Sequence, residues 1–127
     1  MNIFLSILKN LPAVVLATFA LLAWAQAPTR VTNGMLTDVT GITLYTYDRD
    51  IPGSGKSTCT GTCAADWMPL ISIDGISVQG DYSIVDRDDV TRQWAYKGKP
   101  LYYWYKDKKP GDKNGDGMGE AWRVAKP

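Results

Sequence analysis

Cys59 and Cys63 are the two cysteines of the chain, and their close spacing makes them the first candidates for a reactive or metal-binding pair. Two thiolates with three intervening residues can hold Cu(I), and Met68 and Met118 are soft ligands that could join them. Reactive pairs more often have two intervening residues. Because the N-terminus described below indicates export to an oxidising compartment, we favour a structural disulfide. An envelope redox or copper-handling pair is the alternative.

A second candidate site lies in the run Asp112–Gly117, which matches the first half of a calcium-binding loop. Asp112, Asn114 and Asp116 would supply its oxygen ligands. The position that should carry the closing bidentate acid is Arg123, however. A run rich in Gly, Asp and Asn is also typical of a long hairpin loop. We therefore expect no metal site and keep these three residues as a weak calcium candidate.

The absence of histidine limits the chemistry further. Histidine is the commonest general base and the commonest protein ligand of zinc and copper. Without it, a Ser-His-Asp or Cys-His arrangement is impossible. No carboxylates, lysines or tyrosines are spaced in a way that suggests catalysis without it. We expect that the protein is not an enzyme and carries no cofactor.

The strongest pattern is a duplicated motif, Tyr-x-aromatic-x-x-Asp, followed after a short gap by Pro-Gly. A duplicated unit usually means two copies of one supersecondary element packed on each other. We therefore expect two strands in equivalent positions about an approximate two-fold axis. The motif residues, as structural or binding groups, are Tyr45, Tyr47, Asp50, Tyr102, Trp104 and Asp107.

The acidic members of the motif allow two interpretations. Asp50 and Asp107 could face each other across the axis and form one site. Alternatively, each could accept backbone N–H bonds in the turn that ends its own strand, just before Pro-Gly. We favour the second interpretation, because a repeated turn needs a repeated turn residue. On that view the two carboxylates lie at equivalent strand ends and do not bond to one another.

The elements that position the motif are short and β-like. Strand-forming segments alternate with Gly, Pro and Asp turns, and no helical period continues beyond the N-terminal segment. We predict a small, antiparallel all-β domain made of two pseudo-symmetric repeats, roughly 35–70 and 93–125, with at most one short helix. The predicted elements are strands at 43–47, 82–85, 93–97, 101–106 and 121–125, a meander over 82–107, and a helical turn at 63–67.

Alternation along these strands assigns the motif side chains to faces. Alternate residues of a strand point to the same side of a sheet. Tyr45 and Tyr47 should therefore share a face, as should Tyr102 and Trp104. Leu44 and Leu101 should point to the opposite side. We expect most of the tyrosine and tryptophan side chains to be buried or half-buried, with their O–H and N–H groups bonded.

The N-terminus has the layout of a secretory signal peptide. Residues 1–25 carry one charge, Lys9, and a continuous apolar run from Leu11 to Ala25, followed by small residues suited to cleavage. That run is shorter than the roughly 20 residues of a membrane-spanning helix. We predict a single β-rich domain over residues 26–127, located in the periplasm or secreted, with no stable membrane insertion after cleavage.

Charge is divided unevenly along the mature chain. Residues 26–90 contain four basic and nine acidic side chains, and residues 91–127 contain nine basic and four acidic ones. The halves could simply attract each other. Alternatively, the second half could form a basic face. We favour the first interpretation; the residues that would form such a face are Lys97, Lys99, Lys106, Lys108, Lys109 and Lys113.

With these residues in view, the chain resembles a bacterial family of secreted repeats, or predicted lipoproteins, that carry the Tyr-x-(Phe/Trp/Tyr)-x-x-Asp motif. The resemblance rests on both motif copies and on the segments 59–70, 93–102 and 122–127. It implies an envelope or secreted location and no known activity. The chain departs from lipoprotein members because it lacks a cysteine for lipid attachment. Where members end the last strand with Trp-His, it has Trp122-Arg123.

Two hypotheses about function result from the sequence. The first is a non-enzymatic, exported binding or structural module whose ligand is unknown. The second is an envelope redox or copper-handling protein that uses Cys59 and Cys63. The sequence leaves the partner open between an envelope component and a small ligand, and it gives no indication of nucleic-acid binding.

Export generates a direct prediction. The signal peptide should be removed after Ala25, because the alternative cut after Ala27 would place Pro28 next to the cleaved bond. We expect the protein recovered from the cell envelope or medium to begin at Gln26, as measured by intact-mass spectrometry. A mass that retains residues 1–25 would rule out cleavage.

Overall fold

The computed structural model describes residues 27–73 and 78–127. The predicted signal peptide, its cleavage site after Ala25 and the turn at Asp74-Gly75 lie outside these ranges. Within them, no helix has the length and apolar character needed to cross a membrane.

The described chain is built from short strands, and the order of elements repeats. The first half contains β1 (Thr29–Thr32), β2 (Met35–Asp38), β3 (Tyr45–Tyr47), α1 (Thr62–Asp66) and β4 (Trp67–Pro69). The second half contains β5 (Tyr82–Asp86), β6 (Arg92–Tyr96), β7 (Lys99–Pro100), β8 (Tyr102–Trp104), a 3-10 helix (Met118–Glu120) and β9 (Trp122–Val124). All strand pairs are antiparallel. The predicted all-β fold class is confirmed.

A four-stranded sheet in the order β4-β8-β3-β9 forms the centre of the domain. Tyr45 and Tyr102 lie opposite each other where β3 meets β8. On either side, Tyr47 pairs with Trp122 and Trp104 pairs with Trp67. Exchanging β3 with β8 and β9 with β4 reproduces the same order and register. The sheet therefore has an approximate two-fold axis. Each outer strand pairs with an inner strand of the other repeat.

Two smaller sheets, one of two strands and one of three, attach to the central sheet in equivalent ways. The β1-β2 hairpin is joined through Leu36 N, which donates to Ala125 O at 2.9 Å. The β5-β6-β7 sheet is joined through Trp94 N, which donates to Leu70 O at 2.8 Å. Each smaller sheet thus contacts the segment that follows an outer strand, and the two contacts obey the same two-fold relation.

The predicted three-stranded meander is present as β5-β6-β7, but it ends at Pro100 and does not extend to residue 107. Leu101 N still donates to Trp94 O at 3.0 Å, but Tyr102 already pairs with Tyr45 in the central sheet. The chain therefore passes from one sheet to the other between Leu101 and Tyr102, within the segment 101–106 that was predicted as one strand. The reason is that successive side chains point to opposite faces. Leu101 and Tyr102 consequently pack in two different cores.

These two cores lie on opposite faces of the central sheet. The leucines flanking the motif, Leu44 and Leu101, are fully buried in one core with Trp94. The other core contains Tyr45, Cys59, Trp67, Tyr102, Trp104, Trp122 and Val124. The predicted assignment of the motif side chains and the leucines to opposite faces agrees with this arrangement.

A carboxylate at the end of β2 ties the two repeats together outside the motif. Asp38 Oδ1 accepts N–H groups from Thr40 and Ile42 at 2.9 and 3.0 Å, and Tyr103 Oη donates to Asp38 Oδ2 at 2.7 Å. Burial acts to raise the pKa of Asp38, but hydrogen bonds from Thr40, Tyr103 and Ile42 outweigh it, so this pKa lies below 3.8. The ionised form therefore stabilises the fold.

This depressed pKa predicts how stability depends on pH. A carboxyl group whose pKa is lower in the folded state stabilises above its unfolded pKa and loses that contribution as pH falls through the folded pKa. At neutral pH, Asp38→Asn should lower the free energy of unfolding by about 1 kcal/mol, allowing for partial exposure. The difference from the native chain should shrink below about pH 4.

Urea denaturation over a series of pH values measures this difference. Asp66→Asn is the matched control, because it removes the same charge from an exposed side chain at the end of α1. A difference for Asp38→Asn that stays constant down to strongly acidic pH would contradict the prediction.

Candidate functional site

The two motif aspartates occupy equivalent turns. Asp50 N donates to Tyr47 O at 3.0 Å, and Asp107 N donates to Trp104 O at 3.1 Å. Both residues are buried, with 6% and 8% of their surface exposed. A buried carboxylate needs hydrogen-bond donors on both oxygens. The identity of those donors therefore decides what the motif does.

One oxygen of each carboxylate accepts a tyrosine hydroxyl from the opposite repeat. Tyr102 Oη donates to Asp50 Oδ2 at 2.5 Å. Tyr45 Oη donates to Asp107 Oδ2, also at 2.5 Å. Burial, followed by the hydrogen bond to the carboxylate, raises the pKa of both tyrosines well above its ordinary value. Both hydroxyls therefore stay protonated and act as donors.

The other oxygen of each carboxylate holds a loop of its own repeat. Asp50 Oδ1 accepts the backbone N–H and the hydroxyl of Thr58, both at 2.7 Å. Asp107 Oδ1 accepts the backbone N–H and the side-chain amide of Asn114, both at 3.0 Å. The expected backbone donors are thus present, but they lie eight and seven residues beyond the aspartates rather than in the immediate turn. Each carboxylate has its own set of donors.

A stack of four aromatic rings lies beside this crossed pair. The ring centroids are 4.1 Å apart for Tyr47 and Trp122, 3.8 Å for Trp122 and Trp67, and 4.3 Å for Trp67 and Trp104. Trp67 and Trp122 are equivalent residues, so the approximate axis passes between them. All six motif residues therefore belong to one unit, in which Tyr47 is half-buried and the other five are buried.

The loops beside the two carboxylates differ between the repeats. In the first repeat, Cys59 and Cys63 form a disulfide with a Cα–Cα distance of 5.2 Å, and Ser57 Oγ lies 2.7 Å from Tyr102 Oη. In the second repeat, Gly115 N donates to Tyr45 Oη at 3.2 Å. A Cβ atom on Gly115 would approach Trp67 to 2.7 Å, so only glycine fits there. The predicted disulfide is present.

A half-buried arginine and a buried glutamine, which the sequence did not indicate, connect the disulfide loop to the second repeat. Arg87 donates to Cys59 O at 2.6 Å and to Gln93 Oε1 at 2.8 Å. Gln93 is fully buried, and its Nε2 donates to Leu101 O at 2.7 Å. Arginine and glutamine are usually exposed, so composition alone gave no signal for these roles.

The weak calcium candidates are used to organise their own loop. Asp112 Oδ2 accepts the N–H groups of Lys108 and Lys109 at 2.9 and 3.2 Å. Asp116 Oδ1 accepts Val124 N at 3.1 Å, and Asn114 bonds to Asp107. Over residues 27–73 and 78–127, no group of three or more acidic or cysteine side chains could hold a metal ion.

Two surface grooves lie at equivalent ends of the central sheet. The first, of about 500 Å³, is lined by Lys97, Lys99, Arg123 and Lys126 together with two carboxylates, and we call it the basic groove. The second, of about 310 Å³, is lined mainly by Ile42, Met68, Tyr103 and Tyr105, and we call it the apolar groove. The structure therefore divides the predicted basic face: Lys97 and Lys99 line the basic groove, whereas Lys108 borders the apolar one.

Comparison with known families agrees with the duplication. The model of a family described as a secreted repeat of unknown function matches the chain twice, over residues 29–71 and 83–126. The first match spans β1 to β4, and the second begins within β5 and extends past β9. Neither a curated protein nor a solved structure matches the chain.

The crossed bonds predict a specific pattern of energetic coupling. Asp50→Ala and Tyr102→Phe should each lower the free energy of unfolding by about 2 kcal/mol, because each leaves a buried polar group without its partner. In a double-mutant cycle the two changes should couple by about 1 kcal/mol or more. Asp107→Ala and Tyr45→Phe should couple in the same way.

Pairs from the same repeat provide the control. Asp50→Ala with Tyr45→Phe, and Asp107→Ala with Tyr102→Phe, should be additive to within about 0.5 kcal/mol, because neither pair shares a hydrogen bond. Chemical denaturation of the single and double variants measures all four cycles. Stronger coupling within a repeat than between repeats would refute the crossed arrangement.

Proposed function

Because the chain belongs to a family of secreted repeats of unknown function, we propose that it is an exported, non-enzymatic binding module. In this proposal, the motif residues build the scaffold, and the surface outside the motif carries recognition. The family description supports secretion. The N-terminal 25 residues serve as the cleaved signal, and the mature domain works in the periplasm or outside the cell.

One observation carries this proposal: the polar groups of the motif are bonded to each other. Tyr45 and Tyr102 have no exposed surface, and their hydroxyls are bonded to buried aspartates. A catalytic or ligand-binding group must be able to reach its substrate. These groups instead satisfy one another across the repeat boundary. The duplicated motif is therefore best explained by its structural role in the fold.

The cysteine pair supports the same proposal. Cys59 is fully buried and lies in the loop that donates to Asp50 through Thr58. Its carbonyl also accepts a bond from Arg87 at 2.6 Å. The disulfide therefore stiffens one side of the motif. This placement favours a structural bridge over the redox or copper-handling alternative.

Tyrosine modification tests whether the motif is scaffold or site. The folded protein is treated with N-acetylimidazole, and the modified positions are located by peptide mass spectrometry. We expect Tyr105, which is 41% exposed, to react, whereas Tyr45 and Tyr102 should remain unmodified. Protein unfolded in denaturant serves as the control, in which all three should react. Modification of Tyr45 or Tyr102 in the folded protein would make the motif an accessible site and contradict the proposal.

A further inference from the structure

We propose that the basic groove binds an anionic chain molecule that presents two or more oxyanion groups, such as phosphates or carboxylates. This inference names the ligand class of the binding module proposed above and rests on that proposal. It also identifies a site that lies entirely outside the duplicated motif.

The groove brings cationic side chains together from three parts of the second repeat. Lys97 lies in the turn after β6 and Lys99 begins β7, Arg123 lies on β9, and Lys126 follows that strand. All four residues are exposed. The side chain of Lys97 lies over the Tyr96 ring, with Nζ 5.4 Å from the ring centroid. The four cations therefore surround a volume of about 500 Å³ from several directions.

Two carboxylates line the same groove, and both have partners within the protein. Arg123 Nε donates to Asp48 Oδ2 at 2.9 Å. Asp116 Oδ1 accepts Val124 N at 3.1 Å. In the described residues the ion pairs are Arg123–Asp48 and Arg92–Asp86, so none involves Lys97, Lys99 or Lys126. With four basic and two acidic groups, the groove keeps an excess of positive charge.

The approximate two-fold axis indicates that the fold does not require a cation at two of these positions, Lys99 and Arg123. In the register of the central sheet, Arg123 corresponds to Met68 and Thr46 corresponds to Tyr103. By the same relation, Lys99 corresponds to Ile42 and Asp48 to Tyr105. These four counterparts all line the apolar groove. The same backbone thus carries a cationic surface at one end and an apolar surface at the other.

The clustering has an energetic consequence. Like charges that gather on one surface repel each other, and an oppositely charged ligand relieves that repulsion. The repulsion would be smaller if Arg123 and Lys99 were apolar, as their counterparts Met68 and Ile42 are in the other groove. The cations come from several elements around one groove. A ligand with several oxyanion groups along one chain matches this distribution.

The test uses inorganic tripolyphosphate as the probe, with citrate as a carboxylate of similar charge. Binding to the mature protein is measured by isothermal titration calorimetry at low ionic strength, and amide chemical shifts locate the site. We expect binding that weakens as salt increases and that shifts the amides of Thr46, Lys99 and Arg123. Tighter binding of tripolyphosphate would identify phosphate as the preferred group, and tighter binding of citrate would identify carboxylate.

Two paired variants separate the groove from net charge. Lys97→Gln with Lys99→Gln should raise the Kd by about fivefold or more. Lys109→Gln with Lys113→Gln removes the same charge from exposed residues that do not line the groove, and it should change the Kd by less than about twofold. Thermal unfolding verifies that all variants remain folded.

Three results would overturn the inference: equal weakening in both pairs, amide shifts confined to residues outside the groove, or no binding of either probe at low ionic strength. None of these results bears on the role of the motif, which tyrosine modification tests separately. Failure of this inference would therefore leave the proposed scaffold role intact.

Discussion

The fold depends on two hydrogen bonds that buried tyrosine hydroxyls donate to carboxylates. Tyr45 and Tyr102 lie at the centre of an aromatic core, where an unpaired hydroxyl would cost about 1–3 kcal/mol. The acceptors are the carboxylates of Asp107 and Asp50, which would be costly to bury without donors on both oxygens. Each carboxylate therefore recruits a loop through Thr58 or Asn114. The hydroxyl–carboxylate bonds thus link the central sheet to the turns and loops beside it.

Because the bonds cross between repeats, neither repeat can satisfy itself. A single copy would keep its aspartate and lose the hydroxyl that the aspartate accepts. It would also lose a strand neighbour, since β4 pairs with β8 and β9 pairs with β3. The two repeats therefore stabilise each other and do not form two separate domains placed side by side. This also explains why a chain of this size can bury so many polar aromatic side chains.

Local sequence signals predicted the parts of this arrangement that are local. Alternation assigned Tyr45 and Leu44 to opposite faces, and the cysteine spacing with export indicated the disulfide. The strands β2 and β4 were not predicted, because Met35 and Pro69 lie in segments that lack a clear β-branched pattern. The strand β1 was missed although three of its four residues are β-branched. The crossing was also missed, since no spacing along the chain encodes which repeat supplies a partner. One signal was available: buried tyrosines need acceptors, and the only acid repeated with them is the aspartate.

The contrast between core and surface indicates where specificity can reside in this protein. The inward positions of β3 and β8 are held by the tyrosine–aspartate bonds and the ring stack, so substitutions there affect the fold. The outward positions of the same strands are not bound by this requirement, and Thr46 and Tyr103 already differ in polarity. A two-fold scaffold with unlike outer surfaces can place a cationic surface and an apolar surface at equivalent ends of one sheet. The two grooves at the ends of the central sheet show this difference, since one is lined by four cations and the other mainly by apolar side chains.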